Sequence, residues 1–277
     1  MGDARIAPAD ERRHPPGTGR DWEESWYLDF VGAGGGLAGF VQLTLRPREG
    51  VAWFWAAMVG GGPALVTVRD HEVPLPSGRG LEVRAPGLWT ELVCETPLDH
   101  WSVGLEAFGV ALDDPLEAWR QERGDPWALG LDVEWEGVGP CAAWPGGVSG
   151  YWQGCTVHGD VLVGAERFTL DGTGTRIHRW GEQARSAPSG WAAGRLDGAP
   201  FAVASPAVAC DAAGRLQSAG FQVDDQEVGA VAGAQAPVLL PGAGRLVRAV
   251  CRYAGGGGRS GHGWAEWFTP DVASAPA

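Results

Sequence analysis

The residues that could do chemistry in this chain fall into few of the familiar constellations. Six histidines, His14, His71, His100, His158, His178 and His262, never stand at paired metal-ligand spacing, and no HExxH, CxxC or GxSxG occurs. All 21 basic residues are arginines. Without lysine there is no Schiff-base nucleophile, no pyridoxal anchor and no phosphate-loop lysine. Five cysteines, Cys94, Cys141, Cys155, Cys210 and Cys251, lie far apart; their odd count argues against a disulfide framework and they read as core thiols. Gly34 to Gly39 formally fits GxGxxG, but a strand follows where a dinucleotide site needs a helix, so it reads as a hairpin loop. The expectation is no cofactor and no metal.

What remains is chemistry carried by polar and aromatic side chains on strands. Period-two alternation puts Trp26, Leu28 and Phe30 on one face of a strand and Ser25, Tyr27 and Asp29 on the other. Ser102, Glu106 and Phe108 share a face in the same way. A carboxylate held inside a barrel would have its pKa raised and could give a proton, whereas on the outer face it is merely solvated. Among the 15 tryptophans, each indole is either barrel core or the wall of a cavity for a long, conjugated or polycyclic apolar molecule, with an N–H that needs a partner.

The elements that must position these groups are strands. Gly and Pro, 45 and 20 of 277 residues, punctuate short β-compatible runs into roughly sixteen strands, too many for one small barrel and suited to two. The one helix start is Asp113 to Arg120, with Pro115 in its first turn. Residues 1–20 are polar and proline-rich and are expected to be a disordered tail. A Gly/Pro-rich stretch at 140–148 divides the rest into an N-terminal unit, 21–145, and a C-terminal unit, 146–270, before a tail at 271–277. The net charge of −13 disfavours nucleic acid and anionic lipid surfaces. Apolar runs are too short for a membrane span or a signal-peptide core, so the expectation is a cytoplasmic monomer or homodimer with an apolar small-molecule substrate.

The strings ESWYLDF at 24–30, VAWFWAAMVG at 51–60, VRDHEVPLP at 68–76, ETPLDHWSVGLEAFGVALDDP at 95–115, HRWG at 178–181 and GHGWAEWFTP at 261–270 carry a resemblance. The chain resembles, from about Asp21 to Pro270, the superfamily with two lipocalin-like domains that contains carotenoid hydratases, AttH-like proteins and a set of Diels-Alderases. The resemblance implies an all-β fold of two lipocalin-like antiparallel barrels packed side by side, with little helix. Relatives commonly begin the second domain with an aspartate three residues before Trp-Gly; the corresponding stretch here is Ile177-His178-Arg179-Trp180-Gly181, without the aspartate. If that carboxyl protonates an alkene in hydratases, its loss moves the expectation toward cyclisation or binding. The implied function is a cofactor-independent cyclase or isomerase, Diels-Alderase-like, of an apolar polyene or polyketide-derived substrate in natural product biosynthesis. The alternatives are a hydratase or lyase of an isoprenoid-type alkene, with Glu106 and His71 as the acid-base pair, and a non-catalytic binder. The candidate catalytic donors are Tyr27, His71, Glu106 and His178; Trp26, Trp53, Trp55, Trp180, Trp191, Trp264 and Glu266 are the candidate substrate-binding residues.

Overall fold

The computed structural model describes residues 6–120, 123–183 and 185–271. They form eighteen strands: β1 (Trp22–Gly32), β2 (Ala38–Arg46), β3 (Val51–Val59), β4 (Leu65–Pro74), β5 (Leu81–Ala85), β6 (Leu88–Thr96), β7 (His100–Leu112), β8 (Asp125–Gly137), β9 (Ala142–Ala143), β10 (Ser149–Val163), β11 (Glu166–Glu182), β12 (Ser189–Leu196), β13 (Ala199–Ala204), β14 (Ala207–Cys210), β15 (Leu216–Val223), β16 (Gln226–Leu240), β17 (Gly244–Gly255) and β18 (Ser260–Pro270). Among the described residues the only helical pieces are short 3-10 turns, and no helix is long and apolar enough to cross a membrane. The expected helix at Asp113 to Arg120 is one such turn, Pro115–Trp119, with the Asp114 carboxylate accepting from the Leu116 amide at 3.1 Å. Between β1 and β2 the glycine string does turn a hairpin: Gly34 and Gly35 take φ of 83° and 72°, the left-handed region that a side chain resists.

Every strand pairing is antiparallel. The first sheet closes on itself in the order β1, β2, β3, β4, β7, β8, β10, β11 and back to β1. The β4–β7 seam spans only Leu65–Thr67 against Val110–Leu112; farther along, the β5–β6 hairpin pairs with β7 in place of β4. The second sheet runs β13, β12, β18, β17, β16, β15, β14, a half-barrel around Phe201, Leu216, Val228 and Tyr253. The all-β, lipocalin-like architecture read from the sequence is thus the observed one. Strands β10 and β11, which follow residue 145, hydrogen-bond to β8 and β1, so the two sheets part between Glu182 and Ser189.

Strand β1 is buried along its whole length because both of its faces are covered. Trp26, Leu28 and Phe30 fill the closed barrel with Leu43, Phe54 and Trp135, leaving a packed core. Tyr27 and Val31 lie on the outer wall with Phe40 and Trp55, against Trp191, Val238, Trp264 and Phe268 of the second sheet.

Residues 6–20 are not the free tail that their composition suggests. Glu11, 4% exposed, sits in the barrel mouth and accepts from both terminal nitrogens of Arg176 at 3.1 and 2.8 Å, from Trp101 Nε1 at 3.1 Å and from the Leu98 amide at 2.7 Å, with Tyr151 donating as well. Three residues on, the His14 amide and ring both donate to Glu24. Composition misses this because the segment is held by polar pairs rather than by apolar area. A buried pair leaves an uncompensated charge when one partner is removed, so Glu11→Ala should lose about 3–5 kcal/mol in urea denaturation. A loss under about 1 kcal/mol, the range of surface pairs, would show that the segment only rests on the barrel.

Candidate functional site

The layer between the barrel wall and the second sheet holds a dense set of buried polar groups. It is assembled by parity. On β1 the odd positions Glu23, Ser25, Tyr27 and Asp29 face it, next to Thr44, Gln42 and Phe40 of β2 and Trp53 and Trp55 of β3. From the other side come Leu246 and Arg248 of β17, Trp264, Glu266 and Phe268 of β18, and Trp191 of β12. Within the layer lies a cavity of about 100 Å³, lined by Gln42, Trp53, Trp55, His71, Arg248 and Glu266 among others but not by Tyr27 or Trp191, with Gln183 and Arg185 of the β11–β12 connection and Ser189 at the start of β12 at its mouth.

Arg248 is its centre. The guanidinium is 1% exposed and lies 4.5 Å from the Tyr27 ring, 4.6 Å from Phe40, 4.5 Å from Trp55 and 5.9 Å from Trp191. Its Nε and one terminal nitrogen donate to Glu266 at 2.8 and 2.6 Å, and that nitrogen also reaches the Gln42 side-chain oxygen. The other terminal nitrogen, Nη1, has no partner among the described residues, and neither have the Tyr27 hydroxyl and the Trp191 indole N–H. The rings of Tyr27 and Trp191 meet edge to face at 5.1 Å, so three unmatched donors belong to one cluster. Leaving a buried donor unpaired costs about 1–3 kcal/mol, which makes such a cluster a place for an oxygen acceptor from a ligand.

At the mouth, Glu23 binds Arg46 at 3.0 Å and Arg185 at 2.6 Å, and both guanidiniums lie over the Trp53 ring. His71 packs on Trp53 at 4.8 Å; burial, aided by the charges of Arg69, Arg46 and Arg185, pushes its pKa down to about 4, so it is neutral at pH 7. Farther along β1, Asp29 is buried, with one oxygen accepting from the Thr175 amide at 2.8 Å and the other, Oδ2, without a partner among the described residues. Burial pushes this carboxyl up to about 7 against the Thr175 amide, the nearby Tyr27 hydroxyl and the Arg248 charge. The Tyr27 hydroxyl is close enough to favour the carboxylate but short of a formed hydrogen bond.

Of the residues expected at a site, the structure brings Tyr27, His71, Trp53, Trp55, Trp191 and Glu266 into this layer. Trp264 is also there, its N–H donating to the Phe30 carbonyl at 3.2 Å, which makes it a bolt between the sheets. Glu106 is elsewhere: it is exposed on β7 in a surface groove with Trp89 and Phe108, so no pair with His71 forms. Trp26, His178 and Trp180 have even parity and point into the barrel mouth. There His178 Nε2 lies 2.9 Å from Glu24 Oε1, Trp26 stacks on the His178 ring at 4.4 Å, and Trp180 stacks on His14 at 3.8 Å. Burial works to raise the Glu24 carboxyl, but the hydrogen bonds from His14 and His178 outweigh it and hold it below its ordinary value, while burial lowers His178. Sequence reading missed Arg248, Gln42 and the role of Asp29. One signal was present: Arg248 stands between Leu246 and Val250 on one strand face, as a charge on a solvated strand does not.

Several solved structures share this fold. An AttH-type protein of Nitrosomonas europaea is 14% identical with a TM-score of 0.57, over 96% of this chain and 97% of its own. CghA, solved with Sch210972, is 12% identical with a TM-score of 0.53, over 98% and 97%. Kievitone hydratase from Nectria haematococca is 10% identical with a TM-score of 0.54, over 89% and 88%. No curated protein matches the chain by sequence. The family profile described as a domain of unknown function, DUF7064, matches residues 7–238, and the chain belongs to that family.

Proposed function

We propose that the chain is a cofactor-independent cyclase or isomerase acting on an apolar, carbonyl-bearing substrate of polyene or polyketide-derived type, bound between the barrel and the second sheet. The observation that carries this reading is the cluster of three unpartnered buried donors, Tyr27 Oη, Trp191 Nε1 and Arg248 Nη1, around one aromatic box. Donors fixed in a dry layer polarise a carbonyl without reorganising, and aromatic walls hold a flexible chain in a near-attack conformer; a pericyclic or rearrangement step needs little else. The cavity of about 100 Å³ is smaller than the roughly 300 Å³ and upward of a site for a drug-sized ligand. It takes the carbonyl end against Arg248, with Tyr27 and Trp191 outside its lining and reached as the aromatic box opens, and the remainder lies along Trp53, Gln183 and Arg185 at the mouth. That CghA, similar in fold, is solved with a small molecule is in keeping with this use of the fold.

One observation favours a second reading. Asp29, with a raised pKa and a free oxygen on the same strand face, is a proton donor for alkene hydration, the role that Glu106 and His71 are too far apart to share. Mass decides between the two. Polyene ketones and 1,3-dicarbonyl polyenes incubated with the protein in H₂¹⁸O should give isomers of unchanged mass; a product carrying one labelled water would establish the hydratase. On a converted substrate, Tyr27→Phe should slow turnover about 10- to 1000-fold. Its Tm should hold or rise, because the hydroxyl lost has no partner. Unchanged turnover would remove Tyr27 from the reaction, and a fall in Tm alone would make it core.

Asp29 also sets a pH dependence. Its folded pKa, about 7 against an ordinary 3.8, means that the folded protein holds a proton the unfolded chain has released. Stability from this group is therefore full below about pH 4 and is lost as pH rises through about 7, by on the order of 4 kcal/mol. In urea titrations Asp29→Asn should flatten this loss between pH 4 and 8. A variant that loses as much as the wild type over that range would place the proton elsewhere.

A further inference from the structure

We infer that His14, Glu24 and His178 form a binding site for a zinc-class divalent cation that clamps the N-terminal segment onto the barrel mouth. The inference does not depend on the reaction proposed above: β1 separates this cluster from the cavity, Glu24 facing the barrel and Glu23 the second sheet. Two imidazoles and one carboxylate suit zinc, and their ligand atoms all lie within 4.8 Å of one another. His14 Nδ1 and His178 Nε2 lie 2.8 and 2.9 Å from the same oxygen, Glu24 Oε1. In a tetrahedral site with metal bonds of about 2.0–2.2 Å, neighbouring ligand atoms stand about 3.3 Å apart. The two nitrogen–oxygen distances therefore need to open by only a few tenths of an ångström, while the two ring nitrogens, within 4.8 Å of each other, settle to about the same spacing.

The surroundings fix the ligand planes, although His178 Nδ1, behind the ligating nitrogen, has no partner among the described residues. The His14 amide donates to both Glu24 oxygens at 3.0 Å, which holds the carboxylate against the N-terminal segment. Trp180 stacks on His14 at 3.8 Å and Trp26 on His178 at 4.4 Å, fixing both imidazole planes. Asp10 Oδ1 stands 4.0 Å behind His14 Nε2, the position from which a carboxylate supports a ligating imidazole. The His14 side chain is 20% exposed, so the metal has a route in and a solvent molecule can complete the coordination. The other His/Glu group, Glu134, Glu136 and His158, lies on an open surface with no such support. The ligands are 10 and 154 residues apart, so a bound ion would close a long loop and tie the segment to β1 and β11.

The test uses the full chain stripped with chelator and dialysed, then titrated with Zn²⁺ against a chromophoric chelator and with Co²⁺ alone. Expected are one saturable Zn²⁺ equivalent, a tetrahedral Co²⁺ visible spectrum and Co²⁺ quenching of tryptophan fluorescence, given Trp26 and Trp180 at the ligands. His14→Ala, a change in a side chain that is 20% exposed, should weaken Zn²⁺ binding by more than about 100-fold, whereas Glu134→Ala should leave it unchanged. In the unmodified protein, saturating Zn²⁺ should slow trypsin cleavage after Arg12 and Arg13 at least tenfold. Absence of saturable binding, binding that survives His14→Ala, binding lost with Glu134→Ala, or cleavage that ignores Zn²⁺ would each overturn the inference.

Discussion

One guanidinium holds the two sheets in register. Arg248 is buried between them, and burying an ion costs several kcal/mol unless a charge and hydrogen bonds receive it. Glu266, directly opposite on β18, supplies the charge, and Gln42 of the barrel wall supplies an acceptor from the other sheet. Four aromatic rings then close around the cation, three of them, Tyr27, Phe40 and Trp55, from the barrel. The cation belongs to one sheet and most of its solvation to the other, so the sheets cannot slide without stripping it. Trp264, donating to the Phe30 carbonyl, and Trp119, donating to the Val238 and Leu246 carbonyls, add bonds in the same sense at either side.

That arrangement leaves β1 and β11 as a partition between two polar systems. Even positions Glu24, Trp26, Arg176 and His178 serve the barrel mouth; odd positions Glu23, Tyr27 and Asp29 serve the layer. The pleat alone separates them, and a slip of one residue would exchange every side chain between the two. The paired registers Trp26 with His178 and Tyr27 with Ile177 are thus as much a part of the site as the side chains themselves. The Ile177 position is instructive: the strand face that the implied aspartate would have occupied now carries an apolar residue, and the buried carboxyls on that face are Glu23 and Asp29, on the neighbouring strand.

What the sequence made legible was local. Strand alternation, glycine turns and the absence of helix follow from residues within a few positions of each other, and they led to the right fold class. Tyr27, His71, Trp53, Trp55, Trp191 and Glu266 were reached because aromatic and polar residues on strands are rare enough to notice. Alternation, however, yields two faces without saying what covers either. The polar face of β1 is buried, the face carrying Glu106 is open, with Phe108 73% exposed, and the local patterns are the same. The placement of Glu11 against Arg176, of His14 and His178 against Glu24 and of Arg248 against Gln42 depends on separations of 165, 10, 154 and 206 residues. No spacing rule reaches across such distances.

The unpaired donors bear on function more directly than the cavity's size. An interface selected for stability alone would carry phenylalanine at 27 and 191, since an apolar group of the same shape avoids the cost of about 1–3 kcal/mol of each buried, unmatched donor. Here three such donors stand in one cluster, with Arg179 Nε a fourth in the same layer, although two of its other indoles, Trp55 and Trp264, have acceptors at 3.2 Å. A structural charge network would have consumed Arg248 Nη1 as it consumed the other two nitrogens. The unmet donors all seek the same kind of partner, an oxygen with lone pairs, while the rings around them offer only apolar surface. Asp29 is the one group there with a proton to give, and it lies beyond Tyr27 on the same face. In the function proposed above, polarisation of a carbonyl therefore comes first, with proton transfer available only to a substrate that reaches Asp29.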